Sequence, residues 1–350
     1  MKTKHFFIFL IGFFLNTSLS MAQDANASNN PTTDDRLKSL ESVISKMPQF
    51  SGLINVRYQY ATINQNYYSG KNGFDLRRLY LTGKGNLTKT ISYKFQIDFA
   101  SSPKILDAYA EWKPLKNLGL QLGQFKLPYT LENPYSPSSL ELIDNSQVIT
   151  ALISDYNNNG RDIGLSLNGS FLAKDGYNII DYKLGLLNGN GINKSDNNTT
   201  KDFFGTLLIN PIKPLTLGAS YYQGQYGADS VKYDRNRTSF GARYDDGKLL
   251  VRAEYVLGEI GTSPVKIKDA SGYYATIGYY VTKKIQPVVK YDFYQSDNDN
   301  DDSSVTQYVA GVNYWFYKNS RLQFNYTRKD NKSDAVEDSD YFVTQLLIVF

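Results

Sequence analysis

From Phe50 to Phe350, apolar and polar residues alternate along the chain, so that every second residue is apolar over many short stretches. Clear examples run from Ile54 to Tyr60 and from Ile91 to Phe99. This pattern predicts strands with one apolar and one polar face, because successive side chains of a strand point to opposite sides. There are about sixteen such segments of roughly ten residues, the length a tilted strand needs to cross a bilayer, which predicts an all-β protein, a closed antiparallel transmembrane barrel.

The connections between these segments alternate between short and long. Short turns are predicted near Leu87–Thr90, Pro114–Asn117, Ser170–Tyr177, Asn210–Pro214, Asp245–Lys248, Thr282–Lys284 and Tyr317–Ser320, and longer polar connections at Ala61–Asn72, Pro128–Asn159, Asn188–Lys201, Gly224–Asn236, Gly258–Ser271, Gln295–Ser303 and Lys329–Asp340. Only Ala100–Lys104 is short where a long connection is expected. Outer-membrane barrels have tight periplasmic turns and larger extracellular loops, and an even strand number places both termini in the periplasm.

A soluble β-sandwich is the alternative fold, because alternation also fits strands packed on one face only. Sixteen strands would require two such domains, and the sequence shows no linker between them. Aromatic residues make up 14% of the chain and often stand at segment ends, as expected of the girdles at a membrane surface. The membrane barrel is therefore favoured.

Residues 1–22 have the layout of a signal peptide, with Lys2 and Lys4 ahead of an apolar run and a small-residue cleavage site at Ala22. Residues 23–49 combine a polar linker with a short amphipathic helix, and residues 50–350 form the barrel. The helix carries apolar residues at coiled-coil spacing, which predicts either a helical oligomer contact or a solvated helix that ends at Pro48: Leu37, Leu40, Ile44 and Met47. A signal peptide places the mature protein outside the cytoplasm.

Composition excludes most catalytic chemistry. The chain has no Cys, and its single His, His5, lies in the predicted signal peptide. A mature chain without either residue has no thiol nucleophile, no Ser-His-Asp triad and no His-ligated metal site, so we expect no enzyme activity, cofactor or metal centre. The net charge of +4 is too close to balance for a nucleic-acid-binding surface.

Several motifs resemble those of the phosphate-selective porin O and P family of Gram-negative outer membranes. The most specific runs from Gly123 to Tyr129 and continues through Glu132 and Ser136 into Ser138–Glu141. Supporting matches are Phe74–Leu81 with its Arg77-Arg78 pair, Asp107–Tyr109 before Glu111-Trp112, Arg161–Gly164, Asn188–Gly191 and Gln345–Phe350. The resemblance implies a sixteen-stranded, trimeric porin that passes small anions such as phosphate, and a terminal Phe strand that is read during barrel insertion.

In a porin, selectivity comes from pore diameter and from fixed charges at the narrowest point. Alternation places eight basic residues on the polar face of the predicted strands, and they are the candidate pore lining: Arg57, Arg78, Lys94, Lys126, Lys183, Arg243, Arg252 and Lys290. Acidic residues share that face in slightly smaller number: Asp98, Asp107, Glu111, Asp181, Glu254 and Asp292. Arg252 with Glu254 and Lys290 with Asp292 are spaced to form neutralising pairs.

The connection Pro128–Asn159 occupies the third long-loop position, after Ala61–Asn72 and the short Ala100–Lys104, and we expect this extracellular loop to fold inward and constrict the pore. It carries acidic residues and no Lys or Arg: Glu132, Glu141, Asp144 and Asp155. Opposite a basic wall these acids would create a transverse field, which admits polar solutes of either sign. Alternatively, some of them hold the loop against Lys126 and Arg161 at its ends.

The predicted function is passive diffusion of small hydrophilic solutes with a preference for anions, and the partners are outer-membrane lipid and lipopolysaccharide. An adhesin or receptor barrel with a closed lumen is the alternative. The Asp-rich stretch Ser296–Ser304 superficially suggests calcium, but Asp302 stands where the calcium loop needs Gly and Tyr308 where it needs Glu. An exposed loop that bridges divalent ions on lipopolysaccharide fits that stretch better.

Overall fold

The computed structural model describes residues 32–62, 72–154, 160–261 and 267–350, and the chain divides into two units between Met47 and Pro48. In the first unit, helix α1 spans Thr33–Lys46. The Thr32 hydroxyl accepts a hydrogen bond from the Asp35 N–H, and the Asp35 carboxylate accepts one from the Thr32 N–H, both at 3.2 Å. This reciprocal cap fixes the helix start, and Pro48 disfavours helical geometry just beyond its end.

The apolar residues of α1 that set the coiled-coil spacing are exposed, with Ile44 63% accessible. None of the helices described is long and apolar enough to cross a membrane. The predicted signal peptide and the first part of the linker lie outside the described residues.

The second unit is a barrel. Its sixteen strands are β1 Gln49–Ala61, β2 Gly73–Asn86, β3 Ile91–Asp98, β4 Lys104–Leu115, β5 Leu118–Lys126, β6 Arg161–Lys174, β7 Tyr177–Leu187, β8 Asp202–Ile212, β9 Leu215–Gln223, β12 Arg237–Asp245, β13 Leu249–Gly261, β14 Ile267–Tyr279, β15 Ile285–Gln295, β16 Ser304–Tyr317, β17 Ser320–Asn331 and β18 Ser339–Val349. Two further short strands, β10 Gln225–Tyr226 and β11 Tyr233–Asp234, form a separate hairpin between β9 and β12.

Each barrel strand pairs antiparallel with its neighbours in the sequence, and β1 pairs with β18 to close the ring. That closing ladder runs from Leu53 opposite Val349 to Ala61 opposite Tyr341. The predicted closed barrel of sixteen antiparallel strands is thus confirmed. One predicted connection, Gly258–Ser271, is wrong, because β13 and β14 remain paired as far as Gly261 and Ile267.

Burial along the strands is the reverse of that in a soluble protein. Large apolar side chains are exposed on one face, including Leu122 at 64%, Phe240 at 56% and Val289 at 54%. Polar side chains on the other face are buried, including Gln323 and Asp292 at 0%. We call these the outer and inner faces. An apolar outer face and a polar inner face are typical of a barrel surrounded by lipid and contradict the soluble sandwich.

Aromatic rings form rows across the outer face. One row links Tyr255, Tyr273, Tyr291 and Tyr308 on four successive strands, with centroid distances of 6.5, 5.9 and 5.5 Å. A row of aromatic rings on the outer face is typical of the girdles at a membrane surface.

Candidate functional site

The long connection between β5 and β6 contacts the inner faces of many strands. Its described part, the 127–154 segment, contains a short helix α2, Gln147–Ile149, and a following π-helical turn, Thr150–Ser154. Its backbone donates to inner-face carboxylates. The Leu131 N–H donates to Glu254 Oε1 of β13 at 2.8 Å, and the Gln147 N–H donates to Asp292 Oδ2 of β15 at 3.0 Å.

Five inner-face glycines leave room for this segment against the strands, and we call these five residues the glycine seat: Gly218, Gly241, Gly258, Gly272 and Gly311. A Cβ at Gly218, Gly241, Gly272, Gly311 or Gly258 would lie between 2.7 and 3.3 Å from a side-chain atom of the segment, whereas ordinary van der Waals contact begins near 3.4 Å. The apolar side chains that lie over these glycines are Leu131, Val148, Leu142 and Leu152. Because glycine lacks a side chain, the segment lies almost on the strand backbones.

A hydrophobic cluster also holds the segment against the barrel wall. Val148, Ile149, Leu152 and Ile153 of the segment are completely buried. They belong to a cluster with apolar and aromatic residues of six strands: Phe125, Leu187, Phe204, Tyr222, Val256, Ala270 and Tyr274. The segment is therefore packed like a protein core on this side of the barrel.

One inner-face arginine binds two of the acids of the segment. Arg252 Nη2 lies 2.8 Å from Glu141 Oε2 and 3.4 Å from Glu132 Oε1. All three side chains are buried, with accessibilities between 2% and 7%. Glu254, predicted to neutralise Arg252, instead accepts from the Tyr274 hydroxyl at 3.0 Å.

On its other side the segment faces a polar cleft of about 200 Å³. The charged residues among those lining this space are four cations and one carboxylate, Arg77, Arg78, Lys126, Arg161 and Asp144, and we call it the basic cleft. The strands β2, β5 and β6 provide the cations, and the 127–154 segment provides the carboxylate. Among the described lining residues, positive charge is therefore in clear excess.

A β-bulge brings two consecutive arginines into this cleft. Along the β1–β2 ladder, Asn55 pairs with Arg78 and Val56 pairs with Leu76, so Arg77 is an extra residue without a partner on β1. A bulge disturbs strict alternation and turns two neighbouring side chains toward the same side. Strict alternation would place Arg77 on the outer face, which is why the sequence pattern selects Arg78 alone.

Two of the four cations bind backbone carbonyl groups of the segment. Lys126 Nζ donates to the Tyr135 carbonyl at 2.6 Å, and Arg77 Nη1 donates to the Ile143 carbonyl at 3.0 Å. A neutral acceptor positions a cation without cancelling its charge. Arg78 Nη1, which is buried, has no hydrogen-bond partner among the described residues.

Acidic partners neutralise the remaining positive charge only in part. Arg77 Nη2 forms an ion pair with Asp144. Arg161 Nε donates to Asp107 Oδ1 at 2.7 Å, but Lys94 Nζ shares the same carboxylate at 2.6 Å. One carboxylate thus serves two cations.

Asp144 remains ionised in this setting. Burial alone would raise its pKa, but the positive charges of Arg77, Arg57 and Arg78 together outweigh burial and lower the pKa to about 2.

The structure distributes the eight predicted basic residues unequally. Arg78 and Lys126 line the basic cleft. Five others form ion pairs: Arg57 with Asp75, Lys94 with Asp107, Arg243 with Asp245, Lys290 with Asp292, and Arg252 with the two glutamates. Lys183 is half-buried on β7.

Of the four predicted loop acids, Glu132 and Glu141 bind Arg252, Asp144 binds Arg77, and Asp155 lies outside the described residues. The acids are therefore held by Arg252 and Arg77 rather than by Lys126 and Arg161. Sequence reasoning left Arg77, Arg161 and Arg321 out of the candidate set; Arg321 donates to the Leu140 carbonyl.

The Asp-rich stretch Ser296–Ser304 is engaged within the protein. Asp297 forms an ion pair with Lys268, and the Asp297 N–H donates to Ser303 Oγ at 3.0 Å. In the described parts of the chain, no group of three or more His, Cys, Asp or Glu side chains is arranged to hold a metal ion.

Comparison with solved structures shows the porin fold. The chain is similar to the anion-selective porin of Comamonas acidovorans, with a TM-score of 0.68 and 13% identity over 87% of this chain and 99% of that one. It is similar to OmpF of Salmonella typhi, solved in complex with daunomycin, with a TM-score of 0.65 and 14% identity over 87% and 98% of the two chains. It is also similar to the outer membrane channel DcaP of Acinetobacter baumannii, with a TM-score of 0.62 and 13% identity over 87% of this chain and 97% of that one.

The sequence itself was also compared with curated proteins, and none matches. The family model described as phosphate-selective porin O and P matches residues 53–246, which is more than half of the chain. That range includes β2, β5, β6 and the 127–154 segment, the elements that form the basic cleft. The chain belongs to the phosphate-selective porin O and P family of outer-membrane porins.

Proposed function

We propose that this porin passes small hydrophilic solutes with a preference for anions, and that they cross the barrel through the basic cleft. The observation that carries the proposal is the charge of the cleft, in which four cations face one carboxylate. A cleft lined by one sign of charge between low-dielectric walls raises the local concentration of the opposite ion.

The 127–154 segment is, in this proposal, the constriction that folds into the lumen. Its support is the contact of the segment with inner-face residues of β8, β9 and β12 to β17. With that side of the barrel filled by the segment, the passage lies off-centre, between the segment and β2, β5 and β6.

The contacts of the loop acids argue against a transverse field. Glu132 and Glu141 are buried against Arg252, so they do not present free carboxylates opposite the basic wall. The remaining described loop acid, Asp144, is already paired with Arg77. A net positive electrostatic potential therefore describes the cleft better than a basic wall facing an acidic one.

The proposal extends to the surroundings of the barrel. The exposed apolar outer face and its aromatic rows suit outer-membrane lipid and lipopolysaccharide, with the long connections outside the cell and both termini in the periplasm. A homotrimer is the proposed assembly. OmpT of Vibrio cholerae, which has this fold, has been solved in a trimer form.

Reversal potentials of the reconstituted protein in a KCl gradient test the anion preference. We expect a chloride-selective potential in the wild type and a shift toward zero in Arg78→Gln and Lys126→Gln. A unit charge about 7 Å from an ion contributes about 0.6 kcal/mol even at the dielectric constant of water, so each substitution should lower the local anion concentration roughly threefold. Arg243→Gln should have a smaller effect, because Arg243 is paired with Asp245.

Arg328→Gln is the matched control, since Arg328 lies at the end of β17 outside the residues that line the cleft. A cation-selective potential in the wild type would overturn the proposal. A barrel that does not conduct at all would instead favour the adhesin or receptor with a closed lumen.

A further inference from the structure

We infer that helix α1 forms a parallel three-helix coiled coil with the same helix of two other copies of this chain. This inference rests on the proposed homotrimer and gives the assembly a contact outside the barrel wall. The helix belongs to a unit of its own, which ends at Met47. Its contacts with other copies can therefore be tested without altering the barrel.

The first observation is a narrow apolar stripe along α1 and its C-cap. Leu37, Leu40, Ile44 and Met47 follow one another at spacings of three, four and three residues, which are the a and d positions of two heptads. Their side chains are between 51% and 63% exposed. A stripe of this width matches the seam of a coiled coil, whereas a helix that packs on a globular core has a wider apolar face.

The second observation is that opposite charges border the stripe. Arg36 occupies the g position, and Glu41 occupies the e position five residues later. In a parallel coiled coil these two positions face each other on neighbouring helices, so Arg36 of each copy faces Glu41 of the next. An antiparallel arrangement would instead bring Glu41 opposite Asp34, another acid, which is unfavourable. The charges thus favour helices that run in the same direction, as they must in copies that share one membrane.

The third observation is the composition of the helix, which argues against the membrane surface as its partner. Helices that lie on lipid have a polar face rich in Lys and Arg and carry aromatic residues on the other face. From Thr33 to Met47 the chain has three acidic residues, three basic residues and no aromatic residue. Copies of the same helix therefore fit the apolar stripe better than lipid does.

The barrel makes so short a coiled coil possible. Two heptads on a separate chain would be barely stable, since helices shorter than about 12–15 residues are marginal in water. Here only Met47 and Pro48 separate α1 from β1, so the helices of a trimer share a confined volume. Such tethering gives effective concentrations in the millimolar range. The coiled coil then adds to the stability of the trimer rather than creating it.

Position-specific cross-linking of the mature protein in mild detergent tests the inference. The chain has no Cys, so a cysteine introduced by mutation is the only thiol. We expect Leu40→Cys, at a d position, to give covalent dimers on oxidation, because identical core positions of a parallel coiled coil adjoin each other. Ser39→Cys, at the outward c position, is the matched control and should stay monomeric on denaturing gels. Equal cross-linking at both positions would overturn the inference.

A charge swap tests the pairing of Arg36 with Glu41. Arg36→Glu should lower the temperature at which the trimer dissociates in detergent, and adding Glu41→Arg should restore it. An acidic residue near a helix start stabilises the isolated helix, so a lower dissociation temperature reports the contact between helices. A double variant no more stable than Arg36→Glu would contradict the parallel coiled coil.

The oligomeric state of the wild type separates the two proposals. A trimer in which Leu40→Cys does not cross-link would refute the coiled coil alone. A wild type that is monomeric in mild detergent would refute the proposed homotrimer and the coiled coil together.

Discussion

Arg252 Nη2 of β13 lies 2.8 Å from Glu141 Oε2 of the 127–154 segment, and both side chains are almost completely buried. Residues 111 positions apart in the chain thus form a buried ion pair that joins the constricting segment to the barrel wall. Removing one partner of such a pair leaves an uncompensated charge in a poorly solvated place.

Arg252→Ala should therefore loosen the segment. The substitution leaves the buried carboxylates of Glu132 and Glu141 without their cation, and we expect a loss of about 3–5 kcal/mol in the free energy of unfolding. Urea unfolding in lipid vesicles measures that loss, and protease cleavage within the segment reports its release. Arg328→Ala removes an exposed network and should leave both readouts unchanged. Equal stability of the two variants would show that Arg252 does not anchor the segment.

The glycine seat gives a second prediction. A Cβ at Gly272 would lie 2.6 Å from the Phe293 carbonyl oxygen and 2.7 Å from Val148 Cβ, so Gly272→Val must displace helix α2. We expect a destabilisation of about 1–3 kcal/mol, typical of overpacking, and a changed single-channel conductance. Gly73→Val is the control, because nothing lies within 4 Å of a Cβ at Gly73. Wild-type conductance in Gly272→Val would contradict this account of the seat.

The outer face makes a prediction that depends on depth in the bilayer. Leu122, in the middle of β5 and 64% exposed, should face the centre of the lipid, whereas Leu87, 69% exposed, lies in a turn. Leu122→Arg should cost about 2–4 kcal/mol of folding free energy, and Leu87→Arg about 0–1 kcal/mol. Unfolding of both variants in vesicles compares the two costs. Similar costs would mean that Leu122 does not face the membrane interior.

The negative charge that Asp144 adds to the basic cleft should be independent of pH over a wide range. Its pKa is lowered to about 2, below the usual value near 3.9, so the charge is present above both values and is lost only as the pH falls through about 2. The difference in reversal potential in a KCl gradient between the wild type and Asp144→Asn should therefore be the same at about pH 7 and about pH 4. A difference that vanishes by the lower pH would place the pKa of Asp144 much higher.

The strands could be predicted from the sequence because alternation is a local signal. The segment from Ile91 to Phe99 corresponds to β3, Ile91–Asp98, within one residue. The same signal fails where the backbone breaks the period. Arg77 is an extra residue in a bulge, so strict alternation assigns it to the outer face, although an arginine facing lipid is costly.

The ion-pair partners of the charged residues could not be predicted from the sequence, because partners that are close in the folded barrel are far apart along the chain. Arg252 is two residues from Glu254 but pairs with Glu132, 120 positions away. The glycine seat is hidden for a similar reason. In the sequence, Gly218 and Gly272 are only residues that weaken two separate strands. The folded barrel shows that the 127–154 segment packs over both.

The pairing of Leu53 with Val349 determines when the barrel can be finished. The first strand has no permanent neighbour on one side until the last strand has been made, so the chain must be kept from aggregating through its whole synthesis. Once the two ends meet, no free edge remains from which strands could be peeled away. The closed barrel should then not lose its strands one by one but unfold in a single cooperative transition.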